Sequence, residues 1–253
     1  MQRFPLPHPE ELRAALACGK IFSKVDLEDA YLQLKVEPES RKYLVLSTHK
    51  GIFCYTRPPF KFHGAPAIFQ SRIEAILQGL SGIIVYLYDI LITGRSMAEH
   101  NSRLRTLFTR LRNAGIRLKM DKCEFGLTSL KYHGQIIDAN GTRSDPAKVR
   151  AIVDCPRPQS TNQLRSFSGM VNYYGKFVPN ISTINGPLYD LTKKDVKFIW
   201  TANHQMAFDS LKQALVSDKV LSHYDQTKRL GVSADASAYG VGALLLTWSQ
   251  MAY

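Results

Sequence analysis

Residues 83–93 read IIVYLYDILIT, a run of Ile, Leu, Val and Tyr with one acidic residue, Asp89, near its middle. A continuous helix over this run would have no caps, and its β-branched content favours two strands meeting at Tyr88-Asp89. Upstream, Ile21 to Val25 (IFSKV) is a second short apolar run, and it ends on Asp26. Carboxylates seldom sit beside buried strands without a partner or a metal. Two or three of them from neighbouring strands are what a pair of Mg²⁺ ions needs, because hard cations prefer oxygen ligands. Such ions, about 4 Å apart, stabilise the attacking and leaving oxygens of phosphoryl transfer. Each acid also has a plainer reading. Asp26, with Glu28 and Asp29 behind it, fits a helix N-cap, and Asp89 fits a hairpin-turn aspartate.

Working outward, Pro9 to Cys18 has helical spacing with Gly19 as its stop. Tyr43–Ser47 and Ile52–Thr56 are β-rich runs flanking Thr48-His49-Lys50-Gly51, a hairpin signal. Ala65 to Leu80 carries Ile68, Phe69, Ile73, Ile76, Leu77 and Leu80 at helical period, and Met97 to Ala114 predicts a second long helix. Leu130 to Ile137 reads as one strand ended by Asn140-Gly141. From Pro146 the character changes: helices are expected over about 146–154, 161–173 and 184–193, punctuated by Pro156, Pro158, Pro179 and Pro187. A further helix, Ala202 to Val216, leads to a strand pair, Leu230–Ala234 and Val241–Leu246, around Asp235. The order is that of an antiparallel α+β unit, then a helical part, then the start of another β unit.

Composition narrows the class of partner. Lys plus Arg is 33 against 21 for Asp plus Glu, a formal charge of +12, which makes nucleic acid the first partner to consider. The basic residues, among them Arg41, Arg103, Arg110 and Lys119, are spread along the chain, as on a basic groove or face of a folded domain. Cys18, Cys54, Cys123 and Cys155 have no zinc-ligand spacing and read as free thiols in a reducing compartment. The longest apolar stretch, Ile83 to Ile92, is too short to span a bilayer, and no signal-peptide core precedes it, so the chain is expected to be intracellular and not secreted.

Several segments, in order, resemble one family. FSKVDLEDAYLQLKV at 22–36 closely resembles the first catalytic motif of Ty3/gypsy-type LTR retrotransposon reverse transcriptases, and YTRPPFKFHGAPAIFQ at 55–70 their template- and nucleotide-positioning motif. VYLYDILITG at 85–94 is similar to their Tyr-x-Asp-Asp hairpin, and LKMDKCEF at 118–125 to the segment after it. KYHGQII at 131–137 resembles the primer-gripping strand, and TNQLRSFSGMVNYYGKFVPN at 161–180 the thumb and connection. VSADASAYGVGALL at 232–245 resembles the opening strands of their RNase H domain.

The resemblance implies an α+β right-hand polymerase. Partial fingers and a ferredoxin-like antiparallel palm would occupy 1–140, a helical thumb and connection 141–200, and the start of an RNase H-like domain 201–253. By position it makes Asp26 and Asp89 the catalytic, Mg²⁺-binding acids and Tyr31 the aromatic gate under the incoming sugar. Phe60 and Gln70 would belong to the nucleotide pocket and its helix. Tyr132, His133 and Gly134 would hold the primer end, and Asp235 would be the first metal-binding acid of RNase H. It implies two Mg²⁺ ions, an RNA template, a DNA primer and dNTP as partners, and no membrane.

The pattern also breaks. Where the family hairpin reads Tyr-x-Asp-Asp this chain has Tyr86-Leu87-Tyr88-Asp89, and the missing first aspartate is the one that joins Asp26 on the ions. Asp89 is expected to point elsewhere, because neighbouring strand residues face opposite ways. A phenol is a poor replacement for a carboxylate toward Mg²⁺. Lys61 stands where the family has glycine, and Pro58 where it has leucine. Fingers residues upstream and RNase H carboxylates downstream are also missing from the pattern. The function expected is therefore an RNA-directed DNA polymerase segment impaired by Tyr88 and truncation. The alternative is a catalytically inactive retroelement relic with at most non-specific nucleic-acid binding.

Overall fold

The structure, a computed structural model, describes residues 4–17, 19–178, 180–216, 221–223, 229–237 and 240–248. The chain divides into two compact units, Met1–Leu130 and Lys131–Tyr253.

The first unit runs α1 (Pro9–Leu16), β1 (Ile21–Asp26), β2 (Val45–Thr48), β3 (Gly51–Cys54), α2 (Ala65–Leu77), β4 (Ile83–Tyr86), β5 (Asp89–Gly94), α3 (Met97–Asn113) and β6 (Glu124–Leu127). The run at 83–93 does split into two strands, and β4, β5, β1 and β6 lie side by side in that order as an antiparallel sheet. Period-two alternation turns Val25, Val85, Ile90 and Ile92 to one face, where they share a core with Phe69, Ile73 and Leu77 of α2 and Leu107 and Leu111 of α3. The start of α3 is held by a reciprocal cap: the Ser96 hydroxyl accepts the Glu99 N–H at 3.2 Å, and the Glu99 carboxylate accepts the Arg95 N–H at 2.7 Å. Among the described residues the β2–β3 ribbon pairs only with itself, in the register Val45↔Cys54 to Thr48↔Gly51.

The second unit holds a three-stranded sheet in the order β7 (Ser129–Tyr132, which begins at the boundary), β8 (Gln135–Asp138) and β9 (Gly141–Ser144). Helices α4 (Pro146–Val153), α5 (Thr161–Tyr174), α6 (Ile181–Asp190) and α7 (Ala202–Val216) follow, then a ribbon of β10 (Arg229–Ser237) and β11 (Gly240–Trp248). Leu164, Phe167, Val171, Leu188, Phe208 and Leu211 form its core, with Phe167 and Phe208 ring centroids 4.6 Å apart.

Two expectations need correction. Residues 130–137 are two strands joined at His133-Gly134, because both residues take left-handed backbone (φ 46° and 68°) and turn the chain back. The helix expected at about 184–193 begins and ends earlier, at Ile181 and Asp190, with Pro187 inside it. Pro179 and Cys18 lie outside the described residues. Cys54, Cys123 and Cys155 are free thiols, and among the described residues no helix is long and apolar enough to cross a membrane.

At Lys61 the backbone is left-handed (φ 69°), the conformation that glycine adopts without strain. Lys61→Gly is therefore expected to stabilise the first unit by about 1 kcal/mol. Pulse proteolysis in urea should show a raised midpoint for that unit.

Candidate active site

Asp26 and Asp89 stand directly opposite each other as the last register pair of β1 and β5. Opposed residues in an antiparallel pair project to the same face. Lys24, two residues before Asp26, shares that face, and its Nζ lies 3.6 Å from Asp89 Oδ1. The Asp26 N–H donates to Cys123 Sγ at 3.4 Å, and its carbonyl accepts the Lys119 N–H at 2.9 Å.

Strand alternation does not apply at position 88, because Leu87 and Tyr88 form the two-residue turn between β4 and β5. Asp89 therefore shares a face with Asp26, where an opposite orientation was expected, and its carboxylate is turned to the Lys24 ammonium. Leu87 is left-handed at φ 55°, and Tyr88 is half exposed, its carbonyl accepting the Leu27 N–H at 2.9 Å.

Gln70, fully buried on α2, holds this turn. Its Oε1 accepts the Leu87 N–H at 2.7 Å, while Nε2 donates to the Val85 carbonyl at 2.8 Å and to Glu74 Oε1 at 2.6 Å. Beside it on α2, Phe69 meets the Tyr31 ring edge-on at 5.6 Å. Burial, and then the nearby Tyr88, push the Tyr31 hydroxyl above the usual phenol range, so Tyr31 stays protonated at neutral pH. Asp26, Tyr31, Gln70 and Asp89 are thus gathered around one hairpin end. Phe60 is largely exposed (67%), in the turn that precedes α2.

For a pair of divalent ions this donor set falls short. It offers two carboxylates, one of them close to an ammonium, and at the turn a phenol, whereas hard cations take several oxygen ligands. Among the described residues no three His, Cys, Asp or Glu side chains converge as such a site requires.

In the second unit Tyr132 is buried, and its ring meets that of His133 edge-on at 4.2 Å. The Tyr173 hydroxyl donates to the His133 carbonyl at 2.6 Å. Gly134 takes left-handed backbone that favours glycine, and a Cβ there would lie 2.5 Å from the Tyr174 hydroxyl, which would have to move. Asp235 lies on β10 opposite Gly242; its side chain is outside the described residues.

Lys24 and Cys123 were not anticipated at this site. Lys24 could have been found from its position two residues before Asp26 on a strand. Cys123 lies 97 positions away in sequence, and nothing local marks it.

The reverse transcriptase (RNA-dependent DNA polymerase) family matches residues 3–137, and the RNase H-like domain found in reverse transcriptase matches residues 200–252. The chain is 35% identical over 244 residues to the transposon Tf2-3 polyprotein of Schizosaccharomyces pombe, covering 96% of this chain and 18% of that protein. It is 34% identical over 246 residues to the retrovirus-related Pol polyprotein from transposon 297 of Drosophila melanogaster, covering 96% of this chain and 23% of that one. The chain thus spans about a fifth of the length of the curated relatives it matches. A foamy viral protease-reverse transcriptase dRH solved with ds DNA is 25% identical with a TM-score of 0.86, over 96% of this chain and 44% of that one. A second foamy viral protease-reverse transcriptase, solved with dsDNA, has the same fold at 24% identity and a TM-score of 0.88, over 98% of this chain and 52% of that one. Ordered motifs, a palm-like sheet with paired acids at its strand ends, and these matches agree: the chain belongs to the reverse transcriptase family, of the Ty3/gypsy-type LTR retrotransposon kind.

Proposed function

We propose that this chain is the palm, thumb and RNase H beginning of a retrotransposon reverse transcriptase that keeps the nucleic-acid-binding surface of a polymerase but does not support nucleotidyl transfer. The observation that carries this reading is the hairpin end, where Asp26 and Asp89 face each other while the intervening turn presents the Tyr88 phenol. In an intact site Asp26 and a carboxylate at position 88 would hold the Mg²⁺ ions, which would supply the electrostatic stabilisation on which phosphoryl transfer rests. In this reading Asp26 is assigned to the ions, Tyr31 to the face under the incoming sugar, and the exposed Phe60 to nucleotide or template. Gln70 acts one step back, holding the turn. Tyr132, His133 and Gly134 are assigned to the primer end, and Asp235 to an RNase H site.

The partner proposed is a primed RNA template, and the formal charge of +12 supports phosphate-dominated binding. Fluorescence anisotropy with a labelled RNA/DNA hybrid tests it. Between about 50 and about 200 mM salt the affinity should fall by roughly two orders of magnitude or more. A flat salt response would reject the binding role.

A further inference from the structure

The first unit contains a cavity of about 1070 Å³ that includes none of Asp26, Asp89, Tyr31, Phe60 or Gln70. Its walls come from residues 32–37, from the loop around Arg57 and Phe62, from Ile68 and Arg72 of α2, and from residues 114–117 after α3. Its volume is at the upper end of the range for sites that enclose small organic molecules.

The floor of this cavity is built, not merely left over. The Gln33 side chain stands in for a strand partner: its Oε1 accepts the Arg117 N–H at 2.7 Å, and its Nε2 donates to the Arg117 carbonyl at 3.0 Å and to the Glu28 carbonyl. Arg57 Nη1 donates to the Gln33 carbonyl at 2.7 Å, and Arg117 Nε pairs with Glu28 Oε2 at 3.1 Å. Three separate stretches of chain are thereby fixed around one residue, Gln33, through its side chain and its carbonyl, which is the preorganisation that a ligand site needs.

The lining has two characters. Leu32, Leu34, Phe62, Ile68 and Ile116 supply apolar wall. Four cations, Lys35, Arg57, Arg72 and Arg117, line the cavity against a single carboxylate, Glu37. Arg57 and Arg117 are engaged in the floor network. The side chains of Lys35 and Arg72 have no hydrogen bond or ion pair among the described residues, so two cations remain for a ligand.

We propose that this cavity binds an amphiphilic anion, a molecule with one carboxylate, sulfonate or phosphate head on an apolar or aromatic body. The head pairs with Lys35 and Arg72, and the body lies against Ile68, Phe62 and Leu34. The site is separate from the polymerase carboxylates and does not depend on whether nucleotidyl transfer survives. Since its walls join residues 32–37 to the loop that carries Phe60 and Lys61, a bound ligand ties that loop to the body of the unit.

The probe is anilinonaphthalene sulfonate, titrated into the full chain and followed by its fluorescence. One saturable class is expected, with the double variant Lys35→Glu, Arg72→Glu binding about tenfold more weakly or worse. Neutral phenylnaphthylamine should bind at least about tenfold more weakly than the sulfonate. Both substituted residues are exposed, and circular dichroism melting is the check that the variant folds. The exposed ribbon is the competing location, so Ile52→Ser, Phe53→Ser is the control and should leave the titration unchanged. Unchanged sulfonate affinity in the double variant, equal binding of the neutral probe, or loss of the signal in the ribbon variant would each overturn the proposal.

Discussion

Replacing Gln70 with alanine is expected to lower the stability of the first unit by about 2–4 kcal/mol, because the loss is one of pairing more than of volume. The side chain is fully buried, and it satisfies both the Val85 carbonyl at the end of β4 and the Leu87 N–H in the turn. Without it, buried backbone groups lose partners at about 1–3 kcal/mol each. The turn they brace includes Leu87 at φ 55°, a conformation that costs a non-glycine residue about 1 kcal/mol or more. Gln70→Met fills a similar space without restoring the bonds, and it should cost nearly as much. Urea unfolding compared across the parent, Gln70→Ala and Gln70→Met separates the two causes. If methionine restored most of the stability, Gln70 would be a packing residue and not the clamp of the hairpin.

The second large effect is on metal affinity. Tyr88→Asp should raise the affinity for a divalent cation by about tenfold or more, read by Mn²⁺ electron paramagnetic resonance. It adds a hard oxygen donor at the turn beside Asp26, and Mn²⁺ probes oxygen-rich Mg²⁺ sites directly. Asp26→Asn in the Tyr88→Asp background should return the affinity to that of the parent if, as proposed, the two carboxylates would share the same ions. Asp89→Asn should matter less, because the Asp89 carboxylate lies against the Lys24 ammonium at 3.6 Å. An unaltered titration in Tyr88→Asp would mean that position 88 does not face the ion site at all.

Much of this site could be read from the chain before any coordinates. The two acids stood out because each interrupts or ends an apolar β-rich run, and the hairpin was legible because Ile, Val and Tyr on both sides of Leu87-Tyr88 disfavour a helix. Helix α7 was bounded correctly at Ala202–Val216 because its apolar period is unbroken across that span. What stayed hidden depended on partners far away in sequence or on backbone angles. The pairing of Lys24 with Asp89 requires the β1–β5 register, which no local pattern supplies. The turn at His133-Gly134 lies inside a run that reads as one strand, since histidine is a weak turn signal and the left-handed backbone at both residues is not visible in the sequence. Alternation misplaced Asp89 because it was counted through residue 88 as if that residue were in the strand. Lys61 was recognised as a departure from the family, but only its left-handed backbone shows why glycine suits the position.

Incubation of the purified chain with primed homopolymer RNA, the matching dNTP and Mg²⁺ tests the central claim most directly. No incorporation above the no-enzyme background is expected, because a phenol at 88 would leave the proposed Mg²⁺ site without a second carboxylate beside Asp26. Template-dependent extension by the unaltered chain, abolished by Asp26→Asn, would contradict it.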